Sequence, residues 1–153
     1  MWLSDDTSTT SGKILARFLD ANAIKCPSAT IDRATASGLD YDPLLTPGER
    51  CPIMKVELPP HLDPRALDDG SIVQGMLGGT AGIDALGYRR LAELGAMPLA
   101  FVRRVGGGAG NWLWTAMRAR RLGVPLVPAA SVHAAVGAAR LAPTGARGVG
   151  DLR

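Results

Sequence analysis

The sequence predicts an α/β fold, and three observations predict it. Segments of helical period alternate with short apolar runs over the C-terminal half, in the order helix, strand, loop, helix, strand, helix. A glycine run, Val105-Gly106-Gly107-Gly108-Ala109-Gly110-Asn111-Trp112-Leu113-Trp114, stands between an apolar stretch from Pro98 to Val105 and a segment of helical pattern. The 153 residues are 46% hydrophobic and 20% charged, the composition of a globular domain rather than of a disordered chain. With 19 glycines, 11 prolines and only 5% aromatics, many turns and a lightly furnished core are expected.

In chain order, the polar stretch Asp5 to Gly12 is a loop whose Ser11 can cap a following helix. Ile14, Leu15, Phe18 and Leu19 then fall on one helical face directed at the core. The loop's Thr and Ser hydroxyls could meet a phosphate, although capping and solvation account for them equally well. From Ala23 to Pro64 periodicity fails and prolines punctuate a long extended segment, in which Leu39–Leu45 and Ile53–Leu58 are the candidates to pair as short strands. So long a coil within one domain suggests a segment that lies across another part of a larger protein.

Asp68 and Asp69 cap the longest predicted helix, Gly70 to Leu94, with apolar residues from Ile72 to Leu94 at every third or fourth position. It carries Gly75, Gly78, Gly79, Gly82 and Gly87, each costing about 0.8–1 kcal/mol relative to alanine in a helix interior. Close packing against another backbone would compensate, and a kink at Gly78-Gly79 is the alternative. After Gly95 the reading is a strand (Leu99–Val105), the glycine loop, a helix (Gly110–Leu122) with Leu113, Ala116 and Met117 inward, and a strand at Val124–Val127. A small-residue helix from Ser131 to Leu141 follows, able to pack very near the sheet, and then a loose tail from 143 to 153. The domain is therefore drawn at 1–142.

Several function classes are disfavoured. The net charge of +3 comes from scattered arginines without a dense basic run or interleaved aromatics, so nucleic acid is not the expected partner. Cys26 and Cys51 are far apart and His61 and His133 have no neighbours at metal spacing, so reduced thiols in a cytoplasmic protein without a protein-held metal are expected. No apolar run approaches the ~20 residues that span a bilayer. A dinucleotide-binding reading lacks the spaced Gly-x-Gly-x-x-Gly and a ribose-binding acid. The glycine run itself has two readings: a tight strand-to-helix turn, or a ligand loop whose bare backbone and following helix N-terminus suit a nucleotide.

Taken together, Gly106 to Asn111 followed by Trp114, then Leu122-Gly123-Val124-Pro125, then Ala134 to Ala139, resemble the C-terminal lobe of the FGGY carbohydrate kinases, in the xylulose- and D-ribulose-kinase-like branch. Gln74-Gly75-Met76-Leu77, Tyr88 to Gly95, Ser37 to Tyr41 and Pro47-Gly48-Glu49-Arg50 support it over nearly the whole chain. The resemblance implies an actin-like, ribonuclease-H-like ATPase lobe, incomplete and with a long extended N-terminal segment. ATP, carrying Mg²⁺, would lie in a cleft between lobes, with Gly107, Gly108 and Ala109 near the adenosine and α-phosphate and Asn111 bordering the adenine. The family's catalytic aspartate, sugar pocket and remaining phosphate loops come from parts preceding this lobe, so no carboxylate here is expected to be the base. A separately encoded N-terminal lobe, or self-association, is the implied partner; a non-catalytic nucleotide-binding or interaction module is the alternative. The chain departs from the family at Gly78 and His133, where glutamates are usual, at Gly110, where a longer polar residue is usual, and at Thr9-Thr10-Ser11-Gly12, in place of Asn-x-Gly-Gly. His133 is either a pH-sensitive ligand or a partly buried helix histidine.

Overall fold

A computed structural model of the chain describes residues 13–18, 31, 37–105, 107–131, 135, 136 and 139. The expected Ser11 cap, the loop before it, Cys26, Gly106, His133 and the C-terminal tail lie outside the described residues. The elements are a short helix α1 (Lys13–Phe18), a long helix α2 (Asp69–Glu93), a strand β1 (Val102–Arg104), a 3-10 turn (Gly107–Gly110), a helix α3 (Trp112–Leu122) and a strand β2 (Leu126–Pro128). β1 and β2 pair in parallel, Val102 opposite Leu126, Arg103 opposite Val127 and Arg104 opposite Pro128. The described chain is thus a mixed helix–strand protein with a two-stranded parallel sheet joined through a helix, compatible with the α/β class.

α2 begins where the sequence places it. The Asp68 carboxylate accepts from the Ser71 N–H at 2.8 Å and from the Ser71 hydroxyl at 2.7 Å, satisfying one of the donors that a helix leaves open at its start. These hydrogen bonds hold the Asp68 carboxyl below its ordinary pKa, the Ser71 side chain contributing most. α3 is bounded by two caps: Asn111 Oδ1 accepts from the Trp114 N–H at 3.0 Å, and Gly123 ends the helix at φ 70°, a left-handed conformation that suits glycine.

The core lies between helices and an extended arm rather than on the sheet. Leu15 of α1, Tyr41 of the arm, Ile72, Val73, Met76 and Leu77 of α2, and Leu113 and Met117 of α3 form one buried cluster. Burial is confined to the first half of α2; Ile83, Leu86 and Leu91 are half-buried and Leu94 is exposed, although the apolar period runs through them all. Arg118 of α3 donates to Asp84 of α2 at 2.5 Å and stacks over Trp114 at 5.2 Å, joining the two helices at the edge of the core.

The arm departs from the sequence reading in two ways. Leu39–Leu45 does not pair with Ile53–Leu58: Asp42 pairs antiparallel with His61, and Glu49 with Lys55, so the second segment folds back on the stretch just before it. The buried Glu49 carboxylate fixes that fold by accepting from the N–H groups of Arg50 (2.8 Å) and Cys51 (3.2 Å). Nor does the arm need another part of a larger protein to lie on, because it crosses α2 of its own chain. A Cβ at Gly79 would stand 1.9 Å from the Tyr41 carbonyl oxygen, and one at Gly75 2.8 Å from the Tyr41 ring. Close backbone approach therefore accounts for Gly79 and the packed Tyr41 ring for Gly75, and α2 runs unbroken through Gly78-Gly79. Tyr41, 3% exposed, is held by donating its hydroxyl to Pro64 O (2.8 Å) and accepting from Ala66 N (3.0 Å). A Cβ at Gly82 would meet nothing within 4 Å, and no packing reason explains that glycine. Of the described positions of the predicted last helix, Ala135, Val136 and Ala139 are helical and exposed, and Ser131 is half-buried and not helical.

Candidate functional site

Parallel strands linked through a helix bring their carboxyl ends to one side of the sheet, which is where open α/β proteins bind ligands. Here the glycine turn follows β1 at that end, and its Gly107–Gly110 residues form a single 3-10 turn leading into α3. Trp112, Thr115, Ala116 and Ala119 recur at helical spacing along one flank of α3 and face Leu126, Pro128 and Ala129 of and after β2. Between them opens a cleft of about 620 Å³, also lined by Arg104, Ala109 and Gly110 and largely open to solvent. Its walls are mostly apolar with a few polar groups, the composition common to small-molecule sites.

Arg104 organises the cleft. Leaving the last position of β1, its Nη1 donates to the Ala109 carbonyl and to Thr115 Oγ1 (3.4 Å), while Thr115 Oγ1 donates to Asn111 O at 3.0 Å. One guanidinium thus ties strand, glycine turn and helix together and places a positive charge beside the helix N-terminus, where an anion is favoured. Its Nε is buried with no partner among the described residues. A buried donor lacking an acceptor carries a penalty of about 1–3 kcal/mol.

The residues expected to bind are only partly brought together. Ala109 lines the cleft, joined by Gly110. Gly107 and Gly108 lie in the backbone of the turn that leads into it. Asn111 is used locally, its Oδ1 serving as the α3 cap, and it does not line the cleft either. Ala116, expected inward with Leu113 and Met117, turns to the cleft instead: Leu113 and Met117 take the flank packed on the core.

Sequence reasoning missed Arg104, Trp112 and Thr115. The spacing of Trp112, Thr115, Ala116 and Ala119 was a usable signal, since it marks a second flank of α3 made of small and amphipathic residues. Arg104 had no such mark. Among the described residues no group of His, Cys, Asp and Glu is arranged to hold a metal ion, and no helix is long and apolar enough to cross a membrane. No protein-family model matches the chain.

Proposed function

We propose that the chain binds an adenine nucleotide in the cleft between α3 and β2, as the nucleotide-binding lobe of a sugar kinase of the FGGY type with an actin-like core. The observation that carries this reading is the coincidence, at the carboxyl end of a parallel strand pair, of a glycine turn, a helix N-terminus and a half-buried arginine with an unsatisfied Nε. The apolar wall of Trp112, Ala116 and Leu126 suits a base and ribose, and the Arg104 and turn end suits phosphate. The cleft's chemistry thus fits such a nucleotide, with Mg²⁺ arriving on its phosphates.

In this reading ATP supplies the transferable phosphoryl group, and this chain's residues grip and orient it. Phosphoryl transfer depends chiefly on positioning and electrostatic stabilisation, so a lobe that holds the nucleotide performs a separable part of the work. The sugar, a pentulose by resemblance, and the base that activates its hydroxyl belong to a second lobe, and the setting is the cytoplasm.

The test is thermal unfolding of the full chain with and without Mg-ADP. At a hundredfold excess over its dissociation constant a ligand adds about 2.7 kcal/mol, a rise of roughly 5–10 °C for a chain of this size. The rise is expected to disappear in Ala116→Phe, which fills the cleft, and to shrink in Arg104→Gln. No rise in the wild type, or an undiminished rise in Ala116→Phe, would overturn the assignment.

A further inference from the structure

The two strands leave unequal edges. The Val102 N–H donates to Pro125 O at 3.0 Å and the Ala129 N–H to Arg104 O at 3.4 Å. In a parallel ladder alternate residues of each strand face the pairing, so Val102 and Arg104 face β2 and Arg103 aims its N–H and C=O at the opposite edge. By the same alternation Leu126 and Pro128 occupy the outer edge of β2, and Pro128 has no N–H to offer. The edge beside β2 is therefore blunted and the edge beside β1 is open among the described residues.

The side chains repeat the contrast. Val102 is buried, whereas Phe101, Arg103 and Val105 project from the other face, Phe101 at 47% and Val105 at 60% exposure, with the Arg103 guanidinium 5.4 Å from the Phe101 ring centroid. Sheets with parallel pairing ordinarily have both faces covered, and a two-stranded sheet is marginal by itself. A two-fold pairing of β1 with β1 of a second copy, in the register that overlaps the whole strand, would set Arg103 directly opposite Arg103, which is destabilising.

We infer that the open edge of β1 takes up an extended segment of another protein chain, apolar at alternate positions and bearing a carboxylate opposite Arg103. The ladder to Arg103 supplies affinity, Phe101 and Val105 supply apolar contact, and the arginine selects an acidic segment over a basic one. The inference rests on the sheet edge and not on the nucleotide cleft.

The probe is a short fluorescent peptide alternating Val and Thr around a central Glu, titrated into the full 153-residue chain with fluorescence anisotropy as the readout. Saturable binding is expected, weakened about tenfold when the central Glu is exchanged for Lys, with the preference reversed in Arg103→Glu. Alternate N-methylation of the peptide should abolish binding. Arg103 is exposed, so the variant is expected to keep the wild-type melting midpoint and its response to Mg-ADP, which separates this test from that of the nucleotide cleft. Absence of binding, or binding indifferent to both charge exchanges, would overturn the inference. So would a concentration-dependent dimer that Arg103→Pro abolishes, because the edge would then belong to a second copy.

Discussion

The crossing of the arm over α2 and the pairing of β1 with β2 both bring backbone against backbone, yet one is filled and the other half open. At the crossing, Gly79 admits the Tyr41 carbonyl, Tyr41 is hydrogen-bonded on both sides of its hydroxyl, and the cluster from Leu15 to Met117 closes over it. In the sheet, two three-residue strands share one ladder while Phe101 and Val105 stay in water. Among the described residues the buried packing is therefore concentrated in the helix–arm unit, while the sheet has an open cleft at its end and an unpaired edge along its side.

The largest expected effect that would break this contrast lies at Gly79. Gly79→Ala drives a methyl group into the Tyr41 carbonyl and should cost about 3 kcal/mol or more, lowering the melting midpoint by roughly 10 °C. Gly82→Ala, three residues along the same helix but facing open space, should instead gain about 0.5–1 kcal/mol and raise the midpoint by roughly 2–3 °C. Equal responses from the two would remove the crossing from the centre of the fold. Next in size is Tyr41→Phe, which strips the acceptor from Ala66 N and the donor from Pro64 O; a loss of about 1–3 kcal/mol is expected, read in the same melting experiment.

The pair of glycines also shows what was legible in the sequence. The start of α2 was, because an aspartate cap and the apolar period are local signals, and so were the order of β1, α3 and β2 and the end of α3 near Gly123. Of the five α2 glycines expected to need a close neighbour, Gly75 and Gly79 have one, but that the neighbour was Tyr41 was not legible, since a contact between distant segments leaves no local pattern. The arm was misread for a related reason: its pairings, Asp42 with His61 and Glu49 with Lys55, are single bridges set by turns and a buried carboxylate, without the alternation that marks a strand. At the cleft, the glycine turn was visible, whereas Arg104 looked like any surface cation until the fold buried its Nε.

The smallest expected effect sharpens the description of the arm. Burial raises the Asp42 carboxyl above its ordinary value of 3.8, Glu49 and Asp40 add to the rise and His61 opposes it, and Oδ1 is buried without a partner among the described residues. Because the folded value exceeds the unfolded one, the stabilising contribution belongs to the protonated form, is fully present below the unfolded value, and is lost as the pH rises through the folded one. Asp42→Asn should therefore raise the melting midpoint near neutral pH by about 1–2 °C, solvent screening keeping the gain small, and the gain should vanish in acid. A constant difference across that range would assign the effect to something other than titration.

The fold-back at Glu49 has a consequence for the integrity of the chain. Its tip carries the exposed Arg50 and Met54, Met54 at 84% exposure, while its base is pinned by the Glu49–Lys55 pair and the Glu49 carboxylate. Exposed tips of this kind are where proteases nick folded proteins. Trypsin cutting after Arg50 would leave Tyr41 in one piece and α2 in the other, still joined by the Pro64 and Ala66 hydrogen bonds and the Gly79 contact. The nicked protein should migrate as one species on gel filtration and as two on a denaturing gel: a chain cut in two that remains a single molecule.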